Sequence, residues 1–244
     1  MRFLRLFSFH FSQYLNNNYF FWLTITNTVS IFLLQYIAAY ASNNLVDPMI
    51  WLKSGVFGMW ASCTTAAGSI GYQRLQGTLP YLVNTRYDQR LSLIALLLPA
   101  SVYGLMAFPI SFLLARVFTV SVGKITIKLI ISIFLLWIAD TTMGVFIASF
   151  FTLSPNALVY ESLINIPIVL LAGLFGDEKI LTSITKVSRW FIPMAVPIQE
   201  ITKSTVSANW MAFIVSLFLW VSAIIFCVGK INNLAMKKGV LKII

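Results

Sequence analysis

The sequence predicts an all-α integral membrane protein: six transmembrane helices, an N-terminal interfacial helix, a short cytoplasmic helix after the second span and short outer helices before the sixth. Three observations carry this. Hydrophobic residues make up 59 % of the 244 positions and charged residues 10 %, against about 45–50 % and about 25 % in soluble domains. The apolar residues fall into runs that approach the ~20 residues needed to cross a bilayer. The 17 Lys and Arg against 7 Asp and Glu give a net charge of +10, and these basic residues sit between and beyond the apolar runs. Anionic lipid headgroups would meet them there. With a mean hydropathy of +0.87, the composition excludes an ordinary soluble enzyme, a disordered chain and a nucleic-acid binder.

The first segment, 1–18, places Leu4, Phe7, Phe11, Tyr14 and Leu15 on one helical face, with Arg2, Arg5 and Ser12 elsewhere. That spacing fits a helix lying in the membrane interface, while the alternation of Phe7, Phe9 and Phe11 also fits a strand. Arg2 and Arg5 are followed by no small-residue cleavage site, so a cleaved signal peptide is not expected.

The spans are read at about 20–40, 51–70, 91–115, 125–151, 157–175 and 210–228. The first contains Asn27 and Gln35, which either line a polar path or hydrogen-bond across helices. The second carries Gly55, Gly58, Ser62 and Ala66 at helical spacing, which lets other helices approach closely. Pro99 and Pro109 in the third predict kinks that neighbours must compensate. The fourth holds Asp140, near Trp137, Thr141 and Thr142. An intramembrane carboxylate is costly, so Asp140 is either a proton relay or substrate contact, or a structural hydrogen-bonding group. Glu161 and Asn165 open the fifth span; Glu161 either pairs with a basic residue of the inner loop or is solvated. Trp51, Trp60, Trp190 and Trp210 suit interface anchors, and Arg116 suits a snorkelling position. The segment 176–209 is too short and too charged for a further span. It reads as one or two short helices at or dipping into the outer interface.

Placing both termini in the cytoplasm puts Arg74, Arg86, Arg90 and the basic tail inside, in keeping with the positive-inside tendency. Cys63 and Cys227 lie in apolar runs, without a CxxC, and imply no disulfide. The single histidine, His10, stands far from any Cys or Asp, so a His/Cys metal site is not expected.

The segment 71–86 follows the second span. Thr78 suits an N-cap, Pro80 suits the first helical turn, and Leu75, Leu79, Leu82 and Val83 share a face. An amphipathic helix there offers a handle to a cytoplasmic partner. This stretch resembles the transmembrane subunits of ABC-2 type exporters, which carry a glutamate–basic–x–x–Gly-Thr-Leu–glutamate–x–Leu pattern at this place. Arg74, Gly77, Thr78, Leu79 and Leu82 stand in register, while Gln73 and Pro80 replace the acids. The run 144–151, Asn156-Ala157, the run 172–175, Arg189 to Pro193 and Pro197 to Ile201 are similar to the family's closing spans and outer segment.

The resemblance implies a permease domain over 1–244 that works with two ABC ATPase subunits and a second permease, identical or related, in a cell membrane of bacterial type. Arg74, Gly77, Thr78, Leu79 and Leu82 would then form the coupling helix that docks on the ATPase. Asn27, Gln35, Asp140 and Asn165 are the candidate residues of the translocation path. The chain has no P-loop, Gly-x-x-x-x-Gly-Lys-[Ser/Thr]. It is expected to be non-catalytic and to need no cofactor of its own, with ATP and magnesium bound by the partner ATPase. The substrate expected on family habit is an amphipathic or hydrophobic molecule such as an antimicrobial peptide, a lipid or a drug. The rival reading is a secondary transporter or channel working through Asp140, although one intramembrane Asp and no internal repeat speak against it. A membrane-embedded metalloenzyme would need clustered His, Glu or Asp that this sequence lacks.

Overall fold

A computed structural model of the chain describes residues 2–16, 18–42, 47–83, 88–154, 156–175, 179–202 and 208–239. Arg86, residues 176–178 and 203–207 of the segment 176–209, and the end of the basic tail from 240, all used in the sequence reading, lie outside the described residues. Every regular element among the described residues is helical: α1 (Arg2–Leu15), α2 (Asn18–Ala41), α3 (Met49–Leu75), α4 (Leu79–Val83), α5 (Gln89–Val102), a 3₁₀ turn (Tyr103–Met106), α6 (Ala107–Val117), α7 (Ile127–Phe151), α8 (Ala157–Leu171), α9 (Lys179–Ser188), α10 (Ala195–Thr202) and α11 (Trp210–Lys237).

Among the described residues, four helical stretches are long and apolar enough to cross a membrane: α2, α5 continued through α6, α7 and α11. The two other expected spans differ in kind. Helix α8 has 15 residues, which at 1.5 Å per residue gives about 22 Å and falls short of a ~30 Å hydrocarbon core. Helix α3 is long, with 27 residues, but rich in Gly, Ser and Thr. Its environment explains that composition. From Ile50 to Gly71 every residue except Lys53 and Phe57 is buried, because α2, α5, α6, α7, α8 and α10 all pack against it. A helix walled in by protein has no lipid to satisfy. Its hydroxyls bond their own preceding turn, as Ser54 Oγ does to the Ile50 carbonyl at 2.6 Å.

The small residues of α3 set how close the neighbours come. A Cβ on Gly55 would meet the Phe108 ring of α6, and one on Gly58 would meet Thr28 of α2 and, at 2.9 Å, the Ala107 Cβ of α6. Gly104 and Gly144 do the same from the other side, against Met59 and against the Cys63 carbonyl. The expected close-approach face therefore exists, and it serves several helices rather than one. Trp51 and Trp60 are corrected by the same packing. Both are buried in this core rather than anchored at an interface, with Trp60 at 0 % exposure and its Nε1 donating to the Asn165 carbonyl at 3.2 Å. Trp190 and Trp210 are part-exposed, as an interface anchor requires.

The third expected span is a helix, a 3₁₀ turn and a second helix, with Pro99 near the end of α5 and Pro109 in the first turn of α6. The break is held from α7: Trp137 Nε1 donates to the Ser101 carbonyl at 3.1 Å, and Thr141 Oγ1 to Ser101 Oγ at 3.2 Å. The first segment is a helix, not a strand, and it packs along α5. Its inward face is not the expected one. His10 and Tyr14 are buried, while Leu4 and Leu15 are exposed. Tyr14 packs edge-on against Phe20, and Tyr103 of the 3₁₀ turn donates its hydroxyl to the Tyr14 carbonyl.

On the opposite end, α10 dips into the bundle against α3, α7 and α11, burying Val196, Ile198 and Ile201. Helix α9 rests on α8, through a tight turn at Gly173 (φ +85°) facing Thr185 and a hydrogen bond from Ser188 Oγ to the Leu171 carbonyl. Helix α11 starts at the Asn209 cap, whose Oδ1 accepts from the Ala212 N–H. It runs on past the expected end at Val228 to Lys237, because Asn232 is buried against α7 and finds a partner there. Cys63 and Cys227 are both free thiols.

Candidate functional site

The polar residues of the core are organised around one turn of α3. Successive helical residues point about 100° apart, so the run Ser62-Cys63-Thr64-Thr65 faces around the helix. Ser62 Oγ accepts from Thr24 Oγ1 of α2 at 3.1 Å. Cys63 lies within electrostatic reach of Asp140 on α7. Thr64 Oγ1 donates to Asn165 Oδ1 of α8 at 2.8 Å, and Thr65 Oγ1 donates to Glu161 Oε1 one turn earlier on α8, also at 2.8 Å.

This arrangement separates the four candidate path residues instead of lining them up. Asn165, half-buried, is a bonding partner of α3. Asp140 is 0 % exposed, with neither carboxylate oxygen hydrogen-bonded among the described residues. Asn27 and Gln35 are half-buried on α2, and the Gln35 amide nitrogen is buried without a hydrogen-bond partner among the described residues. The four therefore sit on α2, α7 and α8, three helices that all pack against α3. Sequence reasoning missed Thr24, Thr64 and Thr65; the signal was four consecutive small polar residues inside an expected span.

The C-terminal ends of α3 and α7 form a second constellation. Arg74, the last basic residue of α3, is only 3 % exposed. Its Nη2 donates to the carbonyls of Phe151 (3.0 Å) and Thr152 (2.8 Å), and its Nη1 to that of Ser154. These are carbonyls at the C-terminal end of α7, which have no further helical turn to bond, and the negative end of the helix dipole lies there. A fork of donors suits them better than an ammonium. Thr152 Oγ1 donates to Asn232 Oδ1 at 3.1 Å and so adds α11 to the cluster. Arg74 is thus bonded within the chain, tying the end of α3 to the end of α7.

The Gly-Thr pair is a helix stop. Gly77 stands at φ +70° with open space around it, the Gly77 N–H donates to the Arg74 carbonyl at 2.9 Å and the Thr78 N–H to that of Gln73 at 2.9 Å. These two bonds and the left-handed glycine make a Schellman motif. The Thr78 hydroxyl donates to the Gln73 carbonyl at 3.0 Å, so it finishes α3 rather than capping α4. Only its carbonyl begins α4, accepting from Tyr81 and Leu82. Helix α4 then has five residues. Leu79 and Val83 are wholly buried, Leu82 is half-buried, and Tyr81 is 78 % exposed beside Leu75 at 64 %. Among the described residues here, Tyr72, Leu75, Gln76, Gly77 and Tyr81 are exposed and Leu79 is buried.

Between the start of α2, the end of α3 and the start of α8 lies a cavity of about 290 Å³, lined by Tyr19, Phe20, Thr65, Gly68, Ser69, Tyr72, Leu75 and Glu161. Gly68 is what admits the Glu161 carboxylate: an ideal Cβ there would fall 1.9 Å from Glu161 Oε2. Glu161 is thereby turned onto α3 and makes no ion pair with a basic residue among the described residues. A longer groove of about 440 Å³ runs between α5, α7 and α11, apolar except for Thr141, Thr142 and the Asp88–Arg90 pair at its mouth. No group of three or more His, Cys, Asp and Glu able to hold a metal occurs among the described residues. Compared with protein-family models, with curated proteins and with solved structures, the chain matches none.

Proposed function

We propose that this chain is the permease subunit of an ATP-driven exporter of ABC-2 type, with a translocation path for an amphipathic or hydrophobic substrate. In this reading it is non-catalytic. It pairs with a second permease and with two ATPase subunits, which hold ATP and magnesium, in a bacterial plasma membrane with both termini in the cytoplasm. The observation that carries the reading is the inner end of α3. A Schellman stop at Gly77-Thr78 turns the chain into α4, whose buried side (Leu79, Val83) is keyed into the bundle while Tyr81 and Leu75 face out. A push on α4 reaches α3 directly, and through Arg74 it reaches the end of α7. Two helices that cross on small residues can rock without repacking large side chains.

The test is affinity purification of the tagged subunit from membranes of its native host. A P-loop ATPase that co-purifies with wild type, and is lost from Tyr81→Asp, supports the reading. A subunit that purifies without any ATPase, in membranes whose transport is indifferent to ATP, overturns it. One observation favours the second reading, a secondary transporter or channel: the Asp140 carboxylate is fully buried without a hydrogen bond among the described residues. Transport abolished by Asp140→Asn and driven by an ion gradient instead of ATP would establish it.

A further inference from the structure

We propose that the cavity between α2, α3 and α8 is a binding site for an ammonium group carried on a small apolar body. The inference is independent of the exporter reading. Its lining combines one carboxylate, Glu161, with three aromatic side chains, Tyr19, Phe20 and Tyr72, and two hydroxyl-bearing residues, Thr65 and Ser69. A carboxylate can accept about four hydrogen bonds. Thr65 supplies one, and Gly68, having no side chain, lets Oε2 lie close against α3. Glu161 nonetheless lines the cavity, with acceptor capacity beyond the Thr65 bond.

Aromatic faces and a carboxylate share one preferred guest. A cation over a ring within about 6 Å gains about 0.5–2 kcal/mol, and quaternary or primary ammonium groups are the usual occupants of such cages. An anion is repelled by Glu161, and a neutral guest leaves the carboxylate without a counter-charge. Among the described residues, no lysine or arginine supplies that charge from within the chain. At about 290 Å³ the space suits a headgroup or a small arylalkyl amine, not a folded peptide. Tyr19, Tyr72 and Leu75 line it and are exposed, so a guest has a way in. The cavity lies where α2 begins and α3 ends, at the level where an amine-bearing lipid headgroup or a soluble amphipathic amine would meet the protein.

The test uses the full-length chain in nanodiscs of phosphatidylglycerol, whose headgroup has no amine. The probe is benzyltrimethylammonium, with neopentylbenzene as its neutral isostere, read by saturation-transfer NMR. Saturable binding of the cation is expected, weaker by about tenfold in Glu161→Gln, which removes the opposing charge, and by about threefold in Tyr72→Leu, with no saturable binding of the neutral isostere. Glu161→Gln retains an acceptor for Thr65, and the Trp60-centred fold can be verified in each variant by thermal melting. If phosphatidylethanolamine in the nanodisc competes with the probe, the guest is a lipid headgroup; if it does not, the guest is a soluble amine. Equal binding to wild type and Glu161→Gln, or equal binding of the neutral isostere, overturns the proposal.

Discussion

Arg74 illustrates how one residue can resist a sequence reading. As a lone basic residue after an apolar run it suggests a cytoplasmic contact, but its guanidinium is folded back onto three carbonyls at the end of α7. Nothing local in the sequence points to residues 151–154; the partner is tertiary. Arg74→Gln should leave these buried acceptors largely unpaired and lower unfolding stability by about 3 kcal/mol, measured by denaturant titration in detergent. Gly77 is the opposite case, since its role follows from the chain itself. Its φ of +70° with nothing within 4 Å means that Gly77→Ala meets no neighbour and costs only backbone strain, about 1 kcal/mol. A loss several times larger would show that the loop packs against something else. Thr78 was legible as a helix-boundary residue, yet its hydroxyl serves the helix before it rather than the one after.

At the scale of elements, helices stood out wherever lipid sets the composition. α2, α7, α11 and the run of α5 and α6 have the length and apolar composition that a hydrocarbon core demands, and all four were visible as long hydrophobic runs. Helix α3 was visible through its small residues, but a count of apolar side chains understates it, because its surroundings are protein. That also explains why Trp60 looked like an interface anchor and is core. The inward face of α1 was misjudged because a histidine counts as polar, although its ring packs like an aromatic. His10 is 4 % exposed, and burial lowers its pKa below the ordinary 6.5, with the Gln13 side chain pulling weakly the other way. Above pH 6.5 the ring is neutral whether α1 is docked or free, and docking pays no penalty. As pH falls below 6.5 the free helix takes up a proton that the docked one resists, so docking weakens. Hydrogen exchange of the α1 amides should therefore speed up on acidification relative to those of α3, and His10→Leu should remove the pH dependence.

For the whole molecule, the arrangement is a set of helices tied to one central helix at two levels. At mid-height, Ser62, Thr64 and Thr65 bond α2 and α8; at the C-terminal end, Arg74, Thr152 and Asn232 join α3, α7 and α11. The expected polar residues Asn27, Gln35, Asp140 and Asn165 are divided among α2, α7 and α8 around α3. The sequence pattern could not reveal this, since a residue facing inward toward α3 and one facing a second subunit show the same burial signal. The most direct test of the account is site-specific photo-crosslinking in native membranes, with benzoylphenylalanine at Tyr81 and, as the control, at the exposed Phe218 of α11. The account predicts that position 81 crosslinks to a P-loop ATPase and position 218 does not. A position 81 that captures no nucleotide-binding protein, while the helix bundle remains intact, would contradict it.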